Sequence, residues 1–174
     1  SLLSEYASGR TEVFLLTSNI SATEIVAQFH DFQPDALQLV DAVSRVDYLN
    51  IREASPSTKL VQVIHVTGQS AVEEAGLYAN LADAILLDSG NPRQRIKTLG
   101  GTGKAHDWNI SRKIVEKVGI PVYLAGGLKP DNVREAIETV RPFGVDVCSG
   151  IRKQGLLDEG LMNRFLEEVK AAGE

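Results

Sequence analysis

Six short apolar runs punctuate the chain, and the segments between them switch to a helical spacing. The runs are Glu12-Val13-Phe14-Leu15-Leu16-Thr17-Ser18, Ala36-Leu37-Gln38-Leu39-Val40, Leu60 to Val66, Ala84-Ile85-Leu86-Leu87-Asp88, Pro121 to Ala125 and Gly144 to Cys148. Strands buried on both faces of a parallel sheet have this near-continuous apolar character. Between them, apolar residues recur as they do on amphipathic helices. Ser21-Ala22-Thr23-Glu24 and Ser70-Ala71-Val72-Glu73 have the form of capping boxes and predict helices reaching His30 and Asn80. A helix from Val43 to Glu53 is ended by Pro56. Another runs from Trp108 to Val118, with Ile110, Ile114 and Val118 on one face. Pro130 suits the first position of a helix reaching Val140, and Asp158 caps a last helix to Ala172 whose apolar side is Leu161, Phe165 and Val169. Ser1 to Ser8 reads as a short helical piece before Gly9.

The strands begin about 24 residues apart, except for a longer interval after the fourth. Strand–helix alternation calls for a parallel α/β sheet with right-handed crossovers. A doubly wound open sheet and a (βα) barrel both satisfy the pattern. With 174 residues and 43% hydrophobic content, one domain covering residues 1–174 is expected.

A net charge of −5 with scattered basic residues argues against a nucleic-acid partner. There is no apolar run of about 18 residues, so no membrane partner is expected, and Ser1 to Arg10 lacks a signal-peptide pattern. The single cysteine, Cys148, fits a cytoplasmic location without disulfides. One cysteine and three separated histidines make no metal-ligand cluster, and no cofactor or metal is predicted.

The candidate chemistry centres on Leu99 to Trp108. Gly100, Gly101 and Gly103 with Lys104 follow a strand ending in Asp88 and precede a helix. A strand presenting an acid, a glycine loop and a returning helix are the parts of an active-site lid; the alternative is a surface loop with incidental glycines. The apolar approach Ile85-Leu86-Leu87 predicts that desolvation keeps a proton on Asp88, whereas a structural Asp88 would hydrogen-bond the loop backbone. Gly126-Gly127 and Ser149-Gly150 allow backbone N–H groups to reach phosphate oxygens, with Lys129 nearby; ordinary turns are the plainer reading. Asp146 lies inside a strand, where an unpaired charge is costly.

Leu87-Asp88-Ser89, Gly100-Gly101-Thr102-Gly103-Lys104, His106-Asp107-Trp108, the segment Leu124 to Val133 and the segment Arg141 to Gly150 occur in one order. Together they resemble phosphoribosylanthranilate isomerases, the (βα)₈-barrel enzymes of tryptophan biosynthesis. The resemblance covers the C-terminal half of the chain well. It implies a TIM-type barrel whose six strands match the family's third through eighth. The family's first two βα units, on the order of 50 residues, then have no counterpart. Such an incomplete barrel leaves two open sheet edges, predicting a homodimer, swapped or rearranged, or aggregation.

The implied reaction is an Amadori rearrangement of a phosphorylated small-molecule substrate, N-(5-phosphoribosyl)anthranilate, without a cofactor. By this resemblance Asp88 is the general acid, and Gln38 and Asp146 contact the substrate. Gly126, Gly127, Ser149 and Gly150 hold the phosphate, and Gly100, Gly101, Gly103 and Lys104 belong to the lid. Departures from the family pattern are also present. The cysteine base and an arginine, which the family carries on its first two units, have no match. Val40 replaces a usual histidine, and His106 stands where phenylalanine is common. Cys148 falls where serine is common and reads as a buried, inert thiol. His30 and His65 read as surface or satisfied strand residues, and Arg152 as solvated. A non-catalytic phosphosugar-binding paralogue is therefore the alternative function. The unmatched base and Val40 favour it, and Asp88 with the glycine loop favours the enzyme.

Overall fold

The computed structural model describes residues 11–90 and 106–173. The lid residues Gly100, Gly101, Gly103 and Lys104, and the helical piece at Ser1 to Ser8, lie outside them. The six predicted strands form as β1 (Phe14–Thr17), β2 (Ala36–Leu39), β3 (Lys59–His65), β4 (Ala84–Asp88), β5 (Val122–Leu124) and β6 (Gly144–Val145). The helices are α1 (Ala22–Phe32), α2 (Arg45–Ala54), α3 (Ser70–Tyr78), α4 (Trp108–Lys117), α5 (Val133–Val140) and α6 (Glu159–Ala172). A 3-10 turn, Ser149–Ile151, and a small antiparallel hairpin, β7 (Arg152–Lys153) and β8 (Leu156–Leu157), separate β6 from α6.

Strand order decides between the two architectures left open by periodicity. All neighbours in the sheet are parallel, and the order is β1-β2-β3-β4-β5-β6. A doubly wound sheet reverses its order at a switch point, and this one does not. The sheet also curls. Phe14 on β1 and Tyr123 on β5 meet edge to face across its concave side, with ring centroids 6.5 Å apart. The architecture is that of a partial (βα) barrel, with β1 and β6 as edge strands among the described residues.

Alternation along each strand builds two cores. The concave face carries Ala36, Val61, Val63, Ala84, Leu86 and Ala125, where small residues suit the crowded inside of a curled sheet. The convex face carries Leu37, Leu39, Leu60, Ile64, Ile85, Leu87 and Leu124 against the helices. Of the predicted apolar helix faces, Ile114, Val118 and Phe165 are buried here, and Ile110 and Val169 pack beside them.

Helix starts follow the local chemistry less closely than the sequence suggests. Asp107 caps α4 by accepting from the Asn109 N–H at 2.9 Å, and Asp158 caps α6 by accepting from Leu161 at 2.9 Å. Ser21 makes no side-chain cap; Asp47, at the start of α2, accepts from Ala22 N–H at 3.0 Å instead. Gln69, not Ser70, occupies the cap position of α3. The predicted start at Pro130 is displaced to Val133, because Asn132 first braces the turn: its Oδ1 accepts from Lys129 N–H and its Nδ2 donates to the Gly127 carbonyl. β6 stops at Val145, short of the predicted Cys148, where the chain leaves the sheet for the 3-10 turn.

Leu87 is fully buried between β4 and the helices. Leu87→Ala is expected to lower the free energy of unfolding by about 2–5 kcal/mol in a urea titration, through lost transfer energy and an unfilled cavity.

Candidate functional site

The concave face of a parallel sheet reaches solvent where its strands end, and barrel chemistry is found at their C-terminal ends. A cavity of about 240 Å³ opens there. Its floor is Val63 and Leu86, and Leu16, Gln38 and Val40 form the wall on the β1–β2 side. Asp88 enters from the end of β4, Ala125, Gly126, Gly127 and Leu128 from the loop after β5, and Asp146, Val147, Cys148 and Ser149 from the segment after β6.

The structure thus brings together Asp88, Gln38, Asp146, Gly126, Gly127 and Ser149, which are far apart in the chain. Asp88 is half-buried and accepts from its neighbour Ser89 N–H at 2.7 Å. Its backbone carbonyl accepts from Val66 N–H at 2.9 Å, tying the acid to the end of β3. Gln38 is buried, one rung below Val40. Gly126 and Gly127 have φ of +83° and +71°, which only glycine adopts without strain. A Cβ on Gly126 would lie 2.6 Å from Ser89 N, so the loop after β5 packs directly on the residue following the acid. A Cβ on Gly150 would lie 1.9 Å from the Leu128 carbonyl oxygen. The two glycine loops are therefore in backbone contact with each other.

Cys148 departs from expectation. It is exposed and lines the cavity, since β6 ends three residues earlier and no strand encloses the thiol. Arg152 is exposed, as expected, and donates to the Gly155 carbonyl at 3.0 Å. Asp146 has an exposed side, yet burial of its carboxyl raises its pKa, and the charge of Asp88 raises it further. Two carboxylates facing one cavity disfavour ionising together.

Two imidazoles, His106 and His65, stand near Asp88. His106 shares a 2.6 Å hydrogen bond with the Oγ of fully buried Ser111 in the first turns of α4. Burial holds its pKa below the usual histidine value, against the opposing pull of Asp88 and Asp107. His65 ends β3 as the register partner of Asp88. The available signal was strand parity: Val61, Val63 and His65 alternate with the convex-face residues. Among the described residues no group of histidine, cysteine, aspartate and glutamate is arranged to hold a metal ion. No described helix is long and apolar enough to cross a membrane.

The sequence pattern of the family described as N-(5'phosphoribosyl)anthranilate (PRA) isomerase matches residues 5–168. An N-(5'-phosphoribosyl)anthranilate isomerase of Methanocella arvoryzae is 41% identical over 148 residues, covering 84% of this chain and 67% of the relative. The chain thus spans about two thirds of that relative's length. The phosphoribosyl anthranilate isomerase of Thermotoga maritima superposes with a TM-score of 0.79 at 26% identity, covering 98% of this chain and 78% of that one. A phosphoribosyl anthranilate isomerase solved in complex with reduced 1-(o-carboxyphenylamino)-1-deoxyribulose 5-phosphate superposes with a TM-score of 0.75 at 24% identity, covering 98% and 77%. At that identity the last likeness concerns the fold.

The environment of Asp146 has a measurable consequence. A carboxyl whose folded pKa lies above its unfolded value contributes stability that is full below the unfolded value and lost as pH rises through the folded one. With an unfolded reference near 3.8, the native Asp146 is a liability at neutral pH. Asp146→Asn, which carries no charge, is expected to melt at a higher temperature than the parent at pH 7. The gap should close below about pH 4, which thermal melts across this range will check.

Proposed function

We propose that this chain, which belongs to the N-(5'-phosphoribosyl)anthranilate isomerase family, catalyses the Amadori rearrangement of N-(5-phosphoribosyl)anthranilate. The product is the carboxyphenylamino-deoxyribulose phosphate of tryptophan biosynthesis. The observation that carries the site assignment is the convergence of Asp88 with two touching glycine loops on one cavity. Substrate phosphate would sit against the backbone of Gly126-Gly127 and Ser149-Gly150, where side chains are small enough for N–H groups to reach its oxygens. That anchors the sugar with its reacting carbons toward Asp88.

Asp88 in its protonated form donates to the ribose ring oxygen. The C1–O bond breaks, and the anilinic nitrogen lone pair forms the C1=N bond of the open imine. Loss of the C2 proton to a base then gives the enolamine, which becomes the ketone. Asp146 and Gln38 line the cavity beside Asp88 and would orient the anthranilate end. The family's cysteine base has no match in the sequence, and Cys148 lines the same cavity as Asp88. A non-catalytic paralogue would bind the phosphosugar but never convert it.

Two edge strands bear on assembly. Leu16 and Ile20 near β1 are 60% and 56% exposed, and Phe143 before β6 is 69% exposed. A homodimer that covers these edges is the reading they support. Light scattering is expected to give a mass near twice that of the chain, and a stable monomer would remove the dimer.

The acid assignment is tested by Asp88→Asn, which keeps shape but cannot deliver the proton. The expected result is a fall in kcat of about 10²–10⁴-fold with little change in KM and an unchanged melting temperature. Turnover within a few-fold of the parent in the folded variant would displace Asp88 from this role.

A further inference from the structure

The cavity has two unlike sides, and strand order sets them apart. The glycine loops follow β5 and β6, Asp88 ends β4, and Leu16, Gln38 and Val40 lie on or just after β1 and β2. A ligand anchored at the glycine loops and reacting at Asp88 therefore extends its far end toward β1 and β2. The rim of the cavity on that side is apolar. Leu16 shares the inward face of β1 with Phe14, because alternate residues of a strand point the same way. Its register partner Gln38 is buried, whereas Leu16 itself is 60% exposed and open to an incoming ligand. Val40 lies two residues beyond Gln38 and lines the same wall, half-buried. Its backbone is fixed on both sides. The Val40 N–H donates to the Thr17 carbonyl at 3.0 Å, and the Val40 carbonyl accepts from His65 Nε2 at 3.2 Å. Val63 on β3 continues the apolar surface beneath. Pairing along the β1 edge would engage backbone groups and leave this inward face open.

We propose that Leu16 and Val40 are specificity-determining residues that take the face of the substrate's aromatic ring by apolar contact. The inference rests on the functional reading above. In that substrate the phosphate and the arylamine stand at opposite ends of the ribose, and the ring is its one large apolar group. A ring gains by leaving water for aliphatic side chains, which offer nothing to a polar substituent. A wall whose backbone is already held loses little freedom when the ring arrives. The class selected is N-aryl aminoaldose phosphates, over those whose nitrogen carries hydrogen or a polar group.

Three ligands divide the cavity in calorimetry. Inorganic phosphate reads the glycine loops, and ribulose 5-phosphate reads the loops and the sugar. Reduced 1-(o-carboxyphenylamino)-1-deoxyribulose 5-phosphate reads the ring as well. Leu16→Gln and Val40→Thr keep side-chain size and exchange apolar surface for polar. Each should lose about three- to tenfold in affinity for the aryl analogue. Melting temperature and the affinities for phosphate and ribulose 5-phosphate should stay at the parent's values. Analogue affinity within about twofold of the parent in either variant would overturn the proposal and leave the functional reading standing. An equal loss for ribulose 5-phosphate would also overturn it, since the ring would then not be the group recognised. A parent chain that binds phosphate but not the analogue would overturn the functional reading, and this proposal with it.

Discussion

A parallel strand buried on both faces sends alternate side chains to two different places, and everything distinctive here follows from that division. On β4 the convex series is Ile85 and Leu87, and the concave series is Ala84, Leu86 and Asp88. The convex residues can be large because they fill the space between sheet and helices. The concave residues must shrink, since six strands curl around them; hence Ala36, Ala84 and Ala125. Where the concave series reaches the strand ends, packing no longer restricts it to apolar residues. There it becomes Gln38, His65, Asp88 and Asp146.

The acid is held from three directions. β3 and β4 share five register pairs, the last joining His65 to Asp88, and Val66 N–H bonds the Asp88 carbonyl. Ser89 N–H meets the carboxylate itself. Gly126 presses against Ser89 so closely that any side chain at 126 would displace it. Through Leu128 the same loop touches Gly150. Acid and glycine loops thus form one backbone-packed unit, and a change in either is felt by the other. In the proposed reaction, a scaffold packed in this way would hold the reacting group and the anion site at a set separation.

The site also carries destabilising features that its chemistry explains. Asp146 sits beside Asp88 with its proton affinity raised by burial and by that neighbouring charge. At the end of β3, His65 keeps a buried Nδ1 without a partner among the described residues. Neither helps the folded chain by itself; Asp146 faces the cavity that a ligand would fill. Away from the cavity, polar groups are better matched. Asp83, for example, accepts from both Arg52 and Leu60 N–H.

Much of the fold was legible in the chain. Six apolar runs at regular spacing, each followed by a helical period, are a local property of the sequence, and all six became strands. Asp107 and Asp158 capped their helices because an N-cap needs only its own next turn. The motif around Asp88 and the two glycine pairs were also visible, since each is short and contiguous. What sequence could not supply were relations between segments. Strand order, which chose the barrel over the open sheet, depends on how the sheet curls. Ser21 lost its cap to Asp47 of another helix, and Cys148 lost its burial because β6 ended early. The partners of His65 and His106 come from Val40 and Ser111. Periodicity and short motifs are written in neighbouring residues, so the chain alone determined its elements and its chemical parts. Which parts face one another is set by packing across distant segments, and only the tertiary structure decided that.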